Sequence, residues 1–181
     1  KRRYLLASAA SIQLPFLKKS EKGPSREYFF ALEIEHGLVK SAVWSVINDK
    51  PQVLAVSSNQ SWDDKAGDSL TAAADAALSD ATSHLDPTGK VEIHKVIFGL
   101  PADWVGADKI SSPQLHHLKA LSEKLDLVPV GFVVTPEAAA KYLQSTEGVP
   151  PTTILIGFWP HTLEITLVRL GKIDGTHLVQ K

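Results

Sequence analysis

Two stretches of alternating apolar and polar residues, one near each end of the chain, share a strand–turn–strand pattern. Residues 29–46 read FFALEIEHGLVKSAVWSV, and residues 154–173 read ILIGFWPHTLEITLVRLGKI. In each stretch an apolar run ends at a turn that contains a glycine, and a second run with alternating apolar side chains follows. This pattern is typical of a β-hairpin. Folds that contain two such hairpins usually bind a ligand phosphate between the two turns. The repeated pattern therefore predicts a phosphate-binding architecture with two lobes.

The segment between the two hairpins alternates strands and helices. In chain order, we predict strands at about 28–34, 38–48, 51–57, 95–100 and 128–134, and helices that begin at about residues 68, 112 and 135. The predicted order is β-β-β-α-β-α-β-α, followed by β-β. A meander followed by βα crossovers predicts an α/β fold with a mixed sheet flanked by helices, the layout of the ribonuclease-H-like fold.

These patterns divide the chain into three parts. Residues 1–26 form a leader with basic ends and an apolar middle, residues 27–147 form the first lobe, and residues 152–181 form the opening hairpin of a second lobe. The leader is either an interfacial membrane tether or, as we favour, a tail packed on the domain or on a partner. The chain has no methionine, and its last hairpin has no helix to cover it. We therefore expect a fragment with a truncated second lobe.

The composition narrows the class of protein. The chain has 181 residues, of which 44% are hydrophobic and 22% are charged, as in ordinary folded proteins. A net charge of −1 argues against non-specific binding to nucleic acid. The lack of cysteine excludes disulfides and thiolate chemistry and fits a reducing compartment. No apolar run approaches the roughly 20 residues that a membrane span needs.

Three segments, in their order and spacing, resemble the actin-like ATPase superfamily and, within it, the PilM and FtsA branch. Glu33 to Lys40, EIEHGLVK, stands where that family has its first phosphate loop, Asp-Ile-Gly-x-x-x-Val-Lys. Leu155 to Thr162, LIGFWPHT, stands where the family has its second phosphate loop. Val134 to Ala140, VTPEAAA, is similar to the family's connector Glu-Pro-x-Ala-Ala-Ala, and Leu14 to Lys19, LPFLKK, is similar to the basic leader of PilM-like proteins.

The resemblance implies a site for ATP and Mg²⁺ between the two turns. Its residues by position are Glu33, Glu35, His36, Gly37, Lys40, Gly157, His161 and Thr162. Glu33 replaces the family's first Asp, and Glu35 brings bulk and negative charge to the place of a glycine, where phosphate is expected. Leu155 replaces the second Asp and cannot ligate a metal, and residues 158–160, Phe-Trp-Pro, replace small residues. We therefore predict an impaired nucleotide site without ordinary turnover.

The leading interpretation is a scaffold or adaptor on the cytoplasmic side of the inner membrane, as the resemblance to PilM and FtsA implies for type IV pilus assembly or cell division. The implied partners are a short peptide of a membrane protein and further copies of the chain, without nucleic acid. Peripheral membrane contact would come through the leader. Two enzymatic alternatives remain: a working ATPase of the same superfamily, and a ribonuclease-H-like nuclease with Glu33, Glu35 and Asp103 as metal-binding carboxylates.

Aromatic and histidine side chains add two further candidates. Trp62 and Trp159 lie in predicted loops, where a large aromatic side chain either anchors a partner or folds back onto its own domain. His36 and His161 each occupy one of the two turns, where we favour ordinary loop histidines. We predict no metal site, because the remaining histidines are scattered along the chain.

Overall fold

The structure is a computed structural model that describes residues 27–63, 65–106 and 109–180. The predicted leader, residues 1–26, lies outside the described residues. In chain order the elements are β1 (Tyr28–Glu35), β2 (Leu38–Ile47), β3 (Lys50–Val56), β4 (Gln60–Ser61), α1 (Ser69–Leu85), β5 (Lys95–Leu100), a 3₁₀ turn (Ala102–Trp104), β6 (Val105–Gly106), β7 (Lys109–Ile110), α2 (Ser112–Lys124), β8 (Val128–Val134), α3 (Thr135–Glu147), β9 (Thr153–Phe158), β10 (Thr162–Arg169) and β11 (Lys172–Gln180).

The first lobe is built on a mixed sheet with the strand order β3-β2-β1-β5-β8. β1 to β3 form an antiparallel meander, whereas β5 runs parallel to both β1 and β8. Between β2 and β3 the chain reverses at Asn48 and Asp49, which have φ angles of 52° and 61°. Asn and Asp tolerate this left-handed backbone better than most residues do. The predicted α/β class, a mixed sheet flanked by helices, is confirmed.

Helix α1 packs on the meander through small side chains. Its buried face includes Ala73, Ala74, Ala77 and Ala81, and it contacts β2 and β3. Alanine lets a helix backbone lie close to a sheet without loss of side-chain entropy. Under this helix lies one contiguous apolar core, whose fully buried members include Leu32, Ile34, Val39, Val43, Val96 and Leu100. The core fixes the end of β1, where the candidate site begins.

The three helices begin within one residue of their predicted starts. α2 begins at Ser112 with Ser111 as its N-cap, and Pro113 takes the second helical position. Pro fits there because first-turn amides have no partner within the helix. α3 likewise starts at Thr135 itself and ends at Gly148, whose φ is 76°. No helix in the described part of the chain is long and apolar enough to cross a bilayer.

The second sheet has three antiparallel strands in the order β11-β10-β9, one more than predicted. The sequence does not predict β11 as a strand, because its alternation of apolar and polar residues is interrupted by Asp174, Gly175, Thr176 and His177. The chain enters it through a turn with left-handed backbone at Leu170 and Gly171. A register shift between Leu167 and Val168 also offsets its pairing with β10. β10 turns Thr162, Glu164, Thr166 and Val168 to the buried side of this sheet.

Candidate functional site

The turns of the two hairpins lie against each other. We name residues Glu35–Leu38 the first corner and residues Phe158–Thr162 the second corner. Gly37 in the first corner has a φ of 82°, and a Cβ atom placed on it would lie 3.5 Å from Cγ of Pro160. The added methyl group would be in ordinary van der Waals contact with the Pro160 ring, so the two corners lie next to each other at this point.

Glu35, the last residue of β1, buries its side chain next to this point. The residue is 2% exposed, and neither carboxyl oxygen takes part in a hydrogen bond of regular geometry. The pKa of Glu35 is raised from 4.5 to about 8, chiefly by burial and also by the charges of Glu33 and Glu164. The Thr135 hydroxyl and His36 lower this pKa, although the hydroxyl is too poorly aligned to count as a hydrogen-bond partner. At neutral pH the carboxyl is therefore mostly protonated.

His36 in the first corner is held by Asp103, which follows β5. Its Nε2 atom lies 3.2 Å from Oδ1 of Asp103. The contact is an ion pair rather than a well-aligned hydrogen bond, because Nε2 has no partner at regular hydrogen-bond geometry. The nearby Asp103 carboxylate raises the pKa of His36 above its usual value of 6.5, against the opposing effect of burial. His36 thus carries positive charge at the corner more readily than a free histidine does.

Glu33 and Lys40 form a cross-strand ion pair beside the first corner. They face each other in the β1–β2 register, with Nζ of Lys40 3.1 Å from Oε2 of Glu33. Gly99 on the adjacent strand β5 leaves room for the Glu33 side chain, since a Cβ there would lie 3.5 Å from the Glu33 Cγ. The lysine that the family resemblance would assign to phosphate is therefore paired with a carboxylate of its own lobe.

The second corner is covered by its own tryptophan. A Cβ on Gly157 would lie 2.9 Å from Nε1 of Trp159, so the indole ring packs directly on this glycine. The Trp159 amide donates a hydrogen bond to the carbonyl of Thr162 at 2.9 Å, which closes the turn. Its indole nitrogen lies 3.5 Å from Oε2 of Glu164, longer than an ordinary hydrogen bond. The space beside Gly157, where the resemblance would put phosphate, holds an aromatic ring instead.

Trp62 supports the first corner from the loop after β4. Its indole N–H donates to the backbone carbonyl of Glu35 at 2.8 Å, and its amide donates to the carbonyl of Gly37 at 3.1 Å. The ring packs edge-on against Trp104, with centroids 6.3 Å apart. In the isolated chain both candidate tryptophans, Trp62 and Trp159, fold back onto the protein. Their role as partner anchors stays a prediction.

The predicted site residues lie in or beside the two corners: Glu35, His36 and Gly37 in the first, Glu33 and Lys40 beside it, and Gly157, His161 and Thr162 beside or in the second. Thr162 is buried in the second corner, whereas His161 is exposed. Sequence analysis missed Glu164, although a signal was present: a glutamate at an inward position of β10, between Thr162 and Thr166. It also missed Thr135, whose buried hydroxyl faces Glu35 from the start of α3.

The nuclease alternative gains no support from the carboxylates. Across residues 27–63, 65–106 and 109–180, no three His, Cys, Asp or Glu side chains are placed to hold a metal ion. Of the three carboxylates proposed for it, Glu33 pairs with Lys40 and Asp103 pairs with His36. Glu35 is buried in protonated form at neutral pH, and a protonated carboxyl is a poor metal ligand.

A second feature is a groove between the lobes, beside the corners. It is a cavity of about 940 Å³ between the end of β8, α3 and β11. Phe132 and Val134 line it from the first lobe, and Ile173 and Leu178 line it from β11. Polar side chains at its rim are Asp103, Glu137, Lys141 and His177. An apolar floor with a mixed-charge rim is typical of a peptide or small-ligand groove.

Comparison with known proteins identifies the fold. No protein-family model matches the chain, and no curated protein matches it in sequence. The chain is similar in structure to PilM in a PilM–PilN type IV pilus biogenesis complex, with a TM-score of 0.58, 12% identity and coverage of 84% of this chain and 61% of that one. It is also similar to the ethanolamine utilization protein EutJ from Carboxydothermus hydrogenoformans, with a TM-score of 0.54, 17% identity and coverage of 85% and 52%. The fold is that of the actin-like ATPases.

At these identities the likeness concerns the actin-like fold alone. The chain spans between half and two thirds of the length of both structures. Because PilM and EutJ are matched about equally well, the predicted PilM and FtsA branch stays a prediction.

Proposed function

We propose that this chain belongs to an actin-like adaptor that binds a short peptide of a membrane protein and does not rely on nucleotide turnover. The observation that carries the proposal is the buried carboxyl of Glu35 where the two corners approach each other. A triphosphate is strongly anionic, and it would bring negative charge to this place, beside Glu35 and the buried Glu164. Both the space and the charge at the corners therefore disfavour ATP.

The side chains that normally favour phosphate are engaged elsewhere. Lys40 is paired with Glu33 at 3.1 Å, and the ring of Trp159 covers Gly157. Pro160 contributes no amide donor to the second corner. Binding of ATP here would require that the Lys40–Glu33 ion pair breaks, that the indole ring of Trp159 moves away from Gly157, and that the two corners separate. Each step costs free energy that the phosphate contacts would have to offset.

The partner class is supported by the likeness to PilM in complex with PilN. We assign the peptide to the groove between β8, α3 and β11, whose apolar residues Phe132, Ile173 and Leu178 suit apolar anchors. The mixed charges of Glu137 and Lys141 at the rim suit a peptide that carries both signs. An adaptor of this kind would work on the cytoplasmic side of the inner membrane, with self-association and the leader as further contacts.

Calorimetry with ATP and Mg²⁺ tests the nucleotide part of the proposal. The wild-type chain is expected to give no heat of binding at millimolar ATP. Glu35→Gly removes the buried carboxyl and restores the residue that the family resemblance expects, so it is a matched variant in which any residual affinity should rise. Saturable wild-type binding at micromolar ATP would establish the working-ATPase alternative instead, which Gly37 and the retained Thr162 favour.

Peptide selection tests the partner part. Peptides selected from a display library on the wild-type chain are measured by calorimetry against wild type and against Leu178→Glu, which places a charge in the groove. We expect Leu178→Glu to weaken binding at least tenfold, while Val53→Glu, an exposed change on β3, leaves it unchanged. Affinity should be the same with and without ATP and Mg²⁺. An affinity that depends on ATP would contradict a nucleotide-independent adaptor.

A further inference from the structure

We propose that the Glu35 carboxyl is a proton-operated latch between the two lobes: the corners stay closed on each other while Glu35 carries a proton, and they separate when it loses that proton. Glu35 ends β1 in the first corner, next to the point where Gly37 approaches Pro160. Nothing in this proposal depends on the identity of the partner or on the nucleotide, so it stands apart from the adaptor role.

Among residues 27–63, 65–106 and 109–180, the groups that act on Glu35 include one cationic side chain, His36, which is already paired. The groups that face it from the packed elements are Glu33 on β1, His36 in the first corner, Thr135 on α3 and Glu164 on β10. His36 is already paired with Asp103 at 3.2 Å, and Lys40 is paired with Glu33 at 3.1 Å. An ionised Glu35 would therefore add a negative charge among carboxylates whose cationic neighbours are engaged.

While the corners are closed, the negative charge of the Glu35 carboxylate can be neutralised by a proton. Each carboxyl oxygen of Glu35 has less than 1 Å² of accessible surface, so no water-sized molecule can contact it while the corners are closed. The ionised carboxylate consequently cannot be hydrated in place, and burial without hydration or pairing is strongly unfavourable for a charge. Separation of the corners is the structural change that would give the carboxylate access to water.

The size of the effect follows from proton linkage. In an open state, Glu35 would be exposed and ionise near 4.5, whereas in the closed state its pKa is about 8. Between these values, each unit of pH shifts the closed–open equilibrium towards the open state by up to about tenfold. The segment that joins α3 to β9 contains Gly148, whose φ is 76°.

Distance measurement between spin labels tests the latch directly. The natural chain has no cysteine, so Lys50→Cys on β3 and Lys172→Cys on β11 give one exposed labelling site in each lobe. Pulsed electron paramagnetic resonance from about pH 5.5 to about pH 9.5 spans the ionisation of Glu35. We expect a growing population at longer distance as the pH rises. The same labels in Glu35→Gln should show the short distance throughout, because glutamine cannot ionise.

Two further variants make the test specific. Glu164→Gln removes one of the charges that oppose ionisation of Glu35, so its pH-dependent opening should be smaller than in wild type. Glu123→Gln, an exposed change on α2, should open like wild type. The latch is overturned if wild-type distances do not change with pH, or if Glu35→Gln responds as wild type does. Loss of circular dichroism over the same pH range would also overturn it, since that result means unfolding rather than opening.

Discussion

Gly37 and Pro160, which belong to turns of different sheets, approach so closely that one added methyl group would fill the space between them. A Cβ on Gly37 would lie 3.5 Å from Cγ and 3.8 Å from Cβ of Pro160. This close approach lies where the family resemblance would place the two phosphate loops. The carboxyl of Glu35 is buried beside it, and its pKa is raised to about 8.

Substitution of Gly37 should destabilise the protein through its backbone rather than through a clash. Gly37 has a φ of 82°, which costs an L-residue about 1 kcal/mol, while 3.5 Å to Pro160 leaves room for a methyl group. We therefore expect Gly37→Ala to lower the free energy of unfolding by about 1 kcal/mol in urea titrations. Gly89→Ala has a similar φ, 67°, with no neighbour within 4 Å, and should lose about as much.

Gly67→Ala is the matched control for that pair, because Gly67 has neither a left-handed φ nor a neighbour within 4 Å of the added carbon. It should leave stability unchanged or raise it slightly. A Gly37→Ala protein as stable as wild type would show that the first corner does not need its left-handed backbone. A much larger loss in Gly37→Ala than in Gly89→Ala would show that the contact with Pro160 is tighter than the distances indicate.

Substitution of Gly157 should also destabilise the protein, but through a steric clash rather than through the backbone. An added Cβ would lie 2.9 Å from Nε1 and 3.1 Å from Cε2 of Trp159, and a ring cannot move as cheaply as the end of a flexible side chain. We expect Gly157→Ala to cost about 1–3 kcal/mol and to expose the indole to water. A red shift in tryptophan emission that disappears in Gly157→Ala/Trp159→Phe would assign the change to Trp159.

Gly175→Ala on β11 is the control, since nothing lies within 4 Å of its added carbon. It should change neither stability by more than a few tenths of a kcal/mol nor the emission spectrum. If Gly157→Ala leaves the emission of Trp159 unchanged, then the indole does not cover the second corner in solution, and the proposed block of the phosphate position fails with it.

Local sequence signals predicted most of the fold because the elements concerned carry strong patterns. The predicted bounds of the strands at 95–100 and 128–134 are those that the structure has, since each is a short, largely apolar run. The turn between the predicted strands at 38–48 and 51–57 has a local cause too, since Asn48 and Asp49 tolerate the left-handed backbone that they adopt there. The sequence does not predict β11, because its four central residues are polar or glycine. Its strand conformation depends on pairing with β10.

Within the candidate site, the sequence predicts only the contacts that follow from the register of a single hairpin. A two-residue turn at His36 and Gly37 places Glu33 opposite Lys40, so their ion pair was within reach of sequence reasoning. The position of Glu164 beside Glu35 was not, because it depends on how the second sheet docks against the first. The same holds for the ring of Trp159 on Gly157, which local propensity does not determine.

Removal of the Asp103 charge should change stability only on the acidic side. The His36 pKa is raised above 6.5 in the folded protein, chiefly by Asp103, so the pair stabilises fully below pH 6.5 and loses its effect as the pH rises through the folded-state pKa. Both side chains are partly exposed, and screening limits the gain to about 0.5–1 kcal/mol. Asp103→Asn should show this loss near pH 6 and none near pH 9.

Nuclear magnetic resonance titration of the histidine ring protons checks the cause of that loss. In Asp103→Asn the His36 pKa should fall relative to wild type, while the other histidines titrate as before. Asp126→Asn removes an exposed partner of His94, 3.2 Å away, and should leave stability unchanged at both pH values. An Asp103→Asn protein with an unaltered His36 titration would show that the two side chains do not interact in solution.

Glu35→Gln should remove a fall in stability that the wild type shows as the pH rises. An acid whose pKa is raised from 4.5 to about 8 on folding holds its proton longer in the folded than in the unfolded chain. The folded state is thus favoured most below pH 4.5, and stability declines by up to about 1.4 kcal/mol per pH unit until about pH 8, where the decline ends. The total is a few kcal/mol, a large part of the stability of an ordinary domain.

Urea titrations across this range should therefore give a sloping profile for wild type and a flatter one for Glu35→Gln, with the two proteins furthest apart near pH 8. Glutamine keeps the shape of the side chain and cannot ionise, so the difference isolates the buried proton. Glu123→Gln, which changes an exposed carboxyl on α2, should follow the wild-type slope. Parallel profiles for wild type and Glu35→Gln would mean that Glu35 ionises normally in the folded protein, and its burial between the corners would then be refuted.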